Sequence, residues 1–267
     1  MHTVVTFGSD GLCLTGALHL PSDLAEGERR PAIAVLHGFG SNKDDGMVQL
    51  ATRLFSSLGY VVLRFDMRGC GNSEGARGKV LCEDQVSDTR NAVSYLQGVP
   101  EVDPSKIAVM GHSFGAAVAV YAAGVDPRIV ACISSAGWGD GEIKLRQQHA
   151  GPAAWQRFEA MVEEGRAKLA QGQSMPVSRF DIVPIPPEMR SNLPAGSFME
   201  FRSRSSKACC AFVPRRGRKH CPASAPAAAS GGRFDHPYGA VDRTVPQRQD
   251  AGRTAPVLGD RSFHLLR

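Results

Sequence analysis

Glutamate is absent from this 267-residue chain after Glu200, and no apolar run approaches the roughly 20 residues that a membrane-spanning helix needs. The lack of such a run argues against a membrane-spanning helix. Met1-His2-Thr3-Val4 also offers neither the basic nor the apolar stretch of an export signal, and begins directly in strand-like sequence. The 7 cysteines are odd in number and match neither a disulfide framework nor zinc-ligand spacing. Two of them, Cys209-Cys210, are adjacent and cannot form a C-x-x-C pair. A reducing, cytoplasmic setting is the expectation.

The missing glutamates belong to a wider change. Residues 201–267 hold 13 Lys and Arg against 4 Asp, whereas the first 200 hold 18 basic and 22 acidic residues. The formal charge of +5 therefore combines a mildly acidic body with a strongly basic end. A nucleic-acid arm is one reading of that end. Aromatic residues are sparse around its densest stretch, residues 215–219, so no nucleic-acid partner is expected. From about residue 202 the sequence has neither a period of 2 nor of 3.6, residues 222–232 are of low complexity, and no run resembles a buried strand. That composition belongs to loop or disorder.

The first 200 residues behave differently. Residues 3–7 and 12–20 read as strands joined by Gly8-Ser9-Asp10-Gly11. Residues 31–36 and 60–65 are continuous apolar strands of the kind buried on both faces in a parallel sheet. Met47, Leu50, Leu54 and Leu58 recur at helical spacing ahead of Gly59, and residues 80–96 place Cys82, Val86, Val93 and Leu96 on one helical face. Residues 107–110 and 129–134 complete the strands. This alternation predicts an α/β fold with a doubly wound, mostly parallel sheet and right-handed crossovers. It stops after Gly137. Trp155, Phe158, Val162 and Leu169 then mark a helix, and a proline-rich stretch spans residues 176–194. The expected organisation is a core over residues 1–137, a helical lid insertion over 138–200 and an aberrant tail over 201–267.

The most informative residues are Gly111-His112-Ser113-Phe114-Gly115, between the β-branched Ile107-Ala108-Val109-Met110 and the helix-forming Ala116-Ala117-Val118-Ala119-Val120. The pattern G-x-S-x-G needs its glycines because strand and helix approach so closely that Cβ atoms would collide. Such a turn lifts the Ser113 hydroxyl to the top of the sheet and aims the Phe114 N–H at a bound oxyanion. In His37-Gly38-Phe39-Gly40 the glycines let the Phe39 N–H point at the same spot. His37 reads as structural, His112 as pointing away from Ser113, and Asp66 with Arg68 as a brace around a glycine turn.

With these motifs and Asp66-Met67-Arg68-Gly69-Cys70-Gly71-Asn72-Ser73 in order, residues 1 to about 200 resemble the α/β-hydrolase superfamily, in particular the serine aminopeptidase-like (S33-type) esterases and peptidases. The resemblance implies a serine hydrolase of carboxylic-ester type. Ser113 would be the catalytic nucleophile, the Phe39 and Phe114 N–H groups the oxyanion hole, and a small-molecule ester or amide the substrate. It calls for no metal and no cofactor.

The resemblance also implies a carboxylate and then a histidine on loops past residue 200, and the tail shows neither of the strands that would carry them. His220 sits among arginines; His236 follows Asp235 too closely to occupy a separate strand end; His264 is near the expected place but has only three residues after it. Asp140 lies where some members of the superfamily carry their acid instead. A shifted reading frame would account for the tail. Read one base later, with suitable synonymous codons, residues 219–230 can encode Ser-Ile-Ala-Pro-Arg-Pro and a leucine run. Residues 233–234 can then yield an Asp ahead of Ser-Ile-Thr-Pro, and residues 260–263 can yield Ile-Asp-His-Phe. The alternative to an active hydrolase is therefore an inactive, truncated or frame-shifted chain without the His/Asp pair, with an uncovered sheet edge prone to aggregation.

Overall fold

In the computed structural model, which describes residues 2–193, 195–203 and 264–266, the chain opens with a hairpin. Strands β1 (His2–Ser9) and β2 (Leu12–His19) pair antiparallel around Asp10-Gly11. Both turn residues have positive φ, 49° and 80°, as a tight two-residue hairpin requires. The strands β3 (Arg30–Leu36), β4 (Val61–Phe65), β5 (Val102–His112) and β6 (Ile129–Ser135) follow, separated by α1 (Gly46–Ser57), α2 (Cys82–Gln97) and α3 (Phe114–Val125). The four strands are parallel to one another, and the sheet order is β1-β2-β4-β3-β5-β6 with one further strand at the end. This is the doubly wound, mostly parallel α/β sheet that the alternation predicts.

Strand residues feed the two faces in turn. Ala32, Ala34 and Leu36 join Leu63, Val109 and the α2 and α3 side chains Val93, Leu96 and Val118 in one core. Ile33 and Val35 join Val62, Ala108 and the α1 residues Val48 and Ala51 in the other. The α2 face of Val86, Val93 and Leu96 is buried as its spacing predicts, with Cys82 half-buried. The α1 stripe is a correction: Met47, Leu50, Leu54 and Leu58 are 40–62% exposed, and Val48, Ala51 and Thr52 meet the sheet instead. Asp45, whose carboxylate caps Met47 N–H at 2.9 Å, starts the helix, and the bulky β-branched sheet face opposite accommodates small side chains.

Beyond β6, α4 (Gly141–Gln148) and α5 (Pro152–Ala170) pack Leu145, Phe158 and Val162 together. A two-stranded antiparallel ribbon, β7 (Met175–Ser178) with β8 (Glu200–Ser203), brackets the one-turn α6 (Arg179–Ile182) and a 3₁₀ turn at Pro187–Asn192. The proline-rich stretch is therefore folded over parts of its length. The last strand, β9 (His264–Leu266), runs antiparallel to β6 over Cys132–Ser134. It corrects the expectation of a strandless tail, and it covers part of the sheet edge expected to be bare. All described residues belong to one unit, residues 1–214 with 263–267; the second unit, Arg215–Ser262, and the tail residues His220, Asp235 and His236 lie outside the described residues. Among the described residues no helix is long and apolar enough to cross a membrane.

Candidate active site

Ser113 stands at the junction of β5 and α3 with φ 56° and ψ −120°, a conformation that L-residues adopt only when their surroundings enforce it. The glycines show what enforces it. A Cβ on Gly111 would overlap the Gly115 carbonyl, and one on Gly115 would lie 2.8 Å from the Leu36 oxygen and closer still to that of His37. Strand end, helix start and the loop after β3 thus touch backbone to backbone. The turn is tied to β6 by Ser113 N–H donating to Ser135 O at 2.9 Å.

The loop after β3 is stitched down by buried polar groups. His37 is fully buried; its Nδ1 donates to Gly38 O at 2.9 Å, and its Nε2 accepts Met67 N–H at 3.2 Å. Both ring nitrogens are engaged, and burial lowers the pKa of the ring, so this histidine is a neutral strut rather than a base. Asp66, also fully buried, accepts the N–H groups of Lys43 at 2.6 Å and Asn72 at 2.9 Å and lies 3.3 Å from the Lys43 ammonium. Gly71 is glycine because a Cβ there would overlap that carboxylate. The predicted Asp66/Arg68 brace is corrected: Arg68 turns away to Asp88 at 2.7 Å and Asp10 at 2.7 Å. Each charge found its own partner, one of them from the distant β1–β2 turn. The result holds Gly38 against the elbow, where a Cβ would lie 3.6 Å from Ser113 Cβ.

Above the elbow is a cleft of about 320 Å³ that Ser113, Phe39, Phe114 and His112 line together with Ser41, Asp45, Trp138, Lys144, Gln148 and Arg179. Phe39 and Phe114 meet edge to face at 5.8 Å, and Trp138 meets Phe114 in the same way at 5.9 Å. Asp45 accepts Ser41 Oγ–H at 2.8 Å in addition to capping α1. His112 lies 3.2 Å from Ser135 Oγ through Nδ1 and, although it lines the cleft, is bonded to β6 rather than to Ser113. Asp140 is exposed, caps α4 through Ile143 N–H at 2.9 Å and does not line the cleft. His264 is placed by its backbone alone, opposite Ser134 in the β6–β9 register. Among the histidines whose side chains are described, all of them before residue 200, none is hydrogen-bonded to Ser113 Oγ.

Sequence reading missed Asp45, Lys144 and Arg179 at this site. Asp45 carries a signal, an acidic residue just before a helix. The two cations carry none, because their positions depend on how the residue 138–203 segment folds back. Nearby Cys70 is a buried thiol pushed up to about 12 by burial first and by Asp66 second, so it is chemically inert at neutral pH.

Residues 27–177 match the family described as serine aminopeptidase, S33. The chain is similar to the polyketide transferase ATR5 of Stachybotrys chlorohalonatus, 38% identical over 128 residues, which covers 48% of this chain and 41% of that protein. It is similar to the thiohydrolase aneE of Aspergillus aculeatus, 39% identical over 126 residues, covering 47% and 38% respectively. The chain thus spans about two-fifths of the length of these curated relatives. In structure it is similar to the α/β hydrolase GrgF from a Penicillium species, with a TM-score of 0.59, 24% identity, and 80% of this chain and 77% of that one covered.

Proposed function

This chain belongs to the serine aminopeptidase S33 family, whose match spans residues 27–177, and we propose that it is a serine hydrolase acting through an acyl-enzyme on Ser113. The observation that carries the reading is Ser113 held at φ 56° between β5 and α3, on the wall of the cleft. Its Oγ attacks the acyl carbon of a small-molecule ester, while the Phe39 and Phe114 N–H groups hold the oxyanion. The Oγ proton passes to a histidine base, paired with a carboxylate, that lies outside the residues assigned to the site and returns the proton to the leaving group. Losing one such donor typically costs about 3–4 kcal/mol in the barrier. The leaving group departs, and water releases the acid. Trp138, Lys144, Gln148, Arg179 and Leu193, which line the cleft opposite the elbow, support reading residues 138–200 as a lid. The thiohydrolase and transferase names among the relatives support extending the substrate class from oxygen esters to thioesters. A cytoplasmic setting fits the free state of Cys13, Cys70, Cys82 and Cys132.

Hydrolysis of p-nitrophenyl butyrate and of a butyryl thioester by the full chain tests the proposal. Turnover should fall at least about a thousandfold in Ser113→Ala, with the thermal midpoint unchanged. Equal turnover by Ser113→Ala would refute it.

A second reading has its own support. β6 carries on its outer side a three-residue antiparallel partner, β9, where the family resemblance leads one to expect parallel strands bearing the acid and the histidine. In that reading the residues past about 202 come from a shifted frame, and the chain binds small molecules without turning them over. The nucleotide sequence decides this point: an intact frame with no offset likeness to a hydrolase terminus rejects the shift.

A further inference from the structure

Arg179 is the least expected group in the cleft. It opens α6 behind the cap Ser178, its own N–H donates to Met199 O at 2.8 Å, and the residue is 7% exposed. A buried guanidinium ordinarily has a carboxylate partner, because taking an unpaired cation out of water is costly. Arg179 has none among the described residues. Its one hydrogen bond runs from Nη1 to Phe198 O at 3.2 Å; Nε is sealed from solvent with no acceptor; the guanidinium carbon lies 5.6 Å from the Phe39 ring centre. Burial lowers its pKa, yet an arginine remains a cation at any pH where the protein is folded.

The surroundings tilt the same way. The charged groups lining the cleft are Arg179, Lys144 and Asp45. Lys144 makes no ion pair among the described residues, and Asp45 is already occupied by Ser41 and by the α1 N-terminus. Two cations therefore face the space above Ser113 against one carboxylate, Asp45, whose charge reaches Arg179 without forming an ion pair with it. Arg179 also stands beside the loop after β3, since a Cβ on Gly40 would come within 3.2 Å of its Nη1.

The geometry points to Arg179 as an anchor for a carboxylate on the substrate, so that the preferred substrate is a half-ester or half-thioester of a dicarboxylic acid, with its free carboxylate on Arg179 and its acyl carbon at Ser113. A planar guanidinium whose Nη2 is neither sealed from solvent nor bonded to an acceptor among the described residues suits a carboxylate, which can take two parallel hydrogen bonds from the Nη edge. A cleft of about 320 Å³ accommodates a short diacid chain rather than a long lipid. Lys144 adds long-range attraction for the same charge. This assignment rests on the reading of Ser113 as the reacting group, but the anion site itself does not require turnover.

Binding separates the two ideas. The Ser113→Ala full chain is titrated calorimetrically with monomethyl glutarate and with dimethyl glutarate. The half-ester should bind at least tenfold more tightly, and Arg179→Gln in the same background should abolish the preference while Arg179→Lys keeps part of it. Equal affinity for the two ligands before any change at Arg179 overturns the proposal without reliance on a variant that might misfold, and so does a preference that survives in folded Arg179→Gln. If wild-type protein hydrolyses no ester yet the half-ester preference holds, the hydrolase reading fails and the anion site stands.

Discussion

The elbow and the segment folded above it make one cleft, but they are built by opposite means. At Gly111 and Gly115, backbones are in contact and no side chain larger than hydrogen fits. Between residues 138 and 203 the cleft is lined by long side chains, Lys144, Gln148 and Arg179, whose reach substitutes for close packing. The first arrangement leaves little freedom in sequence and, in the proposed reaction, would set where chemistry happens. The second leaves much freedom and would set which molecule arrives.

The sharpest break in that comparison comes at Gly115. Replacing it with Ala forces a methyl group into the carbonyls of Leu36 and His37. We expect a loss of several kcal/mol, seen as insoluble expression or a thermal midpoint lowered by well over 10 °C. Next is the contrast between two leucines. Leu63→Ala, in the fully buried β4, should cost about 2–5 kcal/mol in denaturant unfolding, whereas Leu54→Ala, on the exposed α1 stripe, should change stability by less than about 0.5 kcal/mol. Comparable losses at both sites would mean that the stripe is covered by something.

The smallest effect is electrostatic. His19 is pushed down to about 4 by burial first, then by Arg64 and His2. Because the folded state binds the proton less readily than the unfolded chain, His19 favours folding fully above about pH 6.5, and this contribution is lost as pH falls from there to about 4. His19→Gln should flatten that part of the stability profile by of order 1 kcal/mol after allowing for solvent screening. A lower window belongs to Asp126, held down to about 2 by Arg128. Its contribution is present above about pH 4 and disappears toward pH 2, and Asp126→Asn should remove that slope alone.

The same contrast explains what was legible in the sequence. Steric demands write themselves as residue types: G-x-S-x-G announces the elbow, and β-branched runs announce β3, β4 and β5. Pairings between distant charges do not. Arg68 lies two residues from Asp66 yet bonds Asp88 and Asp10, because the β1–β2 hairpin brings Asp10 alongside only after the sheet has formed. The α1 stripe failed for a related reason. Helical spacing identifies a face, but here the sheet selects Val48, Ala51 and Thr52 over the larger residues one position away. Arg179 was invisible because nothing local distinguishes a buried arginine from a surface one.

The central claim is that Ser113 is an activated nucleophile, and covalent labelling of the full-length chain with a fluorophosphonate probe tests it most directly. The account predicts stoichiometric modification mapped by mass spectrometry to the peptide containing Ser113, and none in folded Ser113→Ala. A wild-type protein that is folded by circular dichroism but stays unlabelled, or is labelled elsewhere, would contradict it.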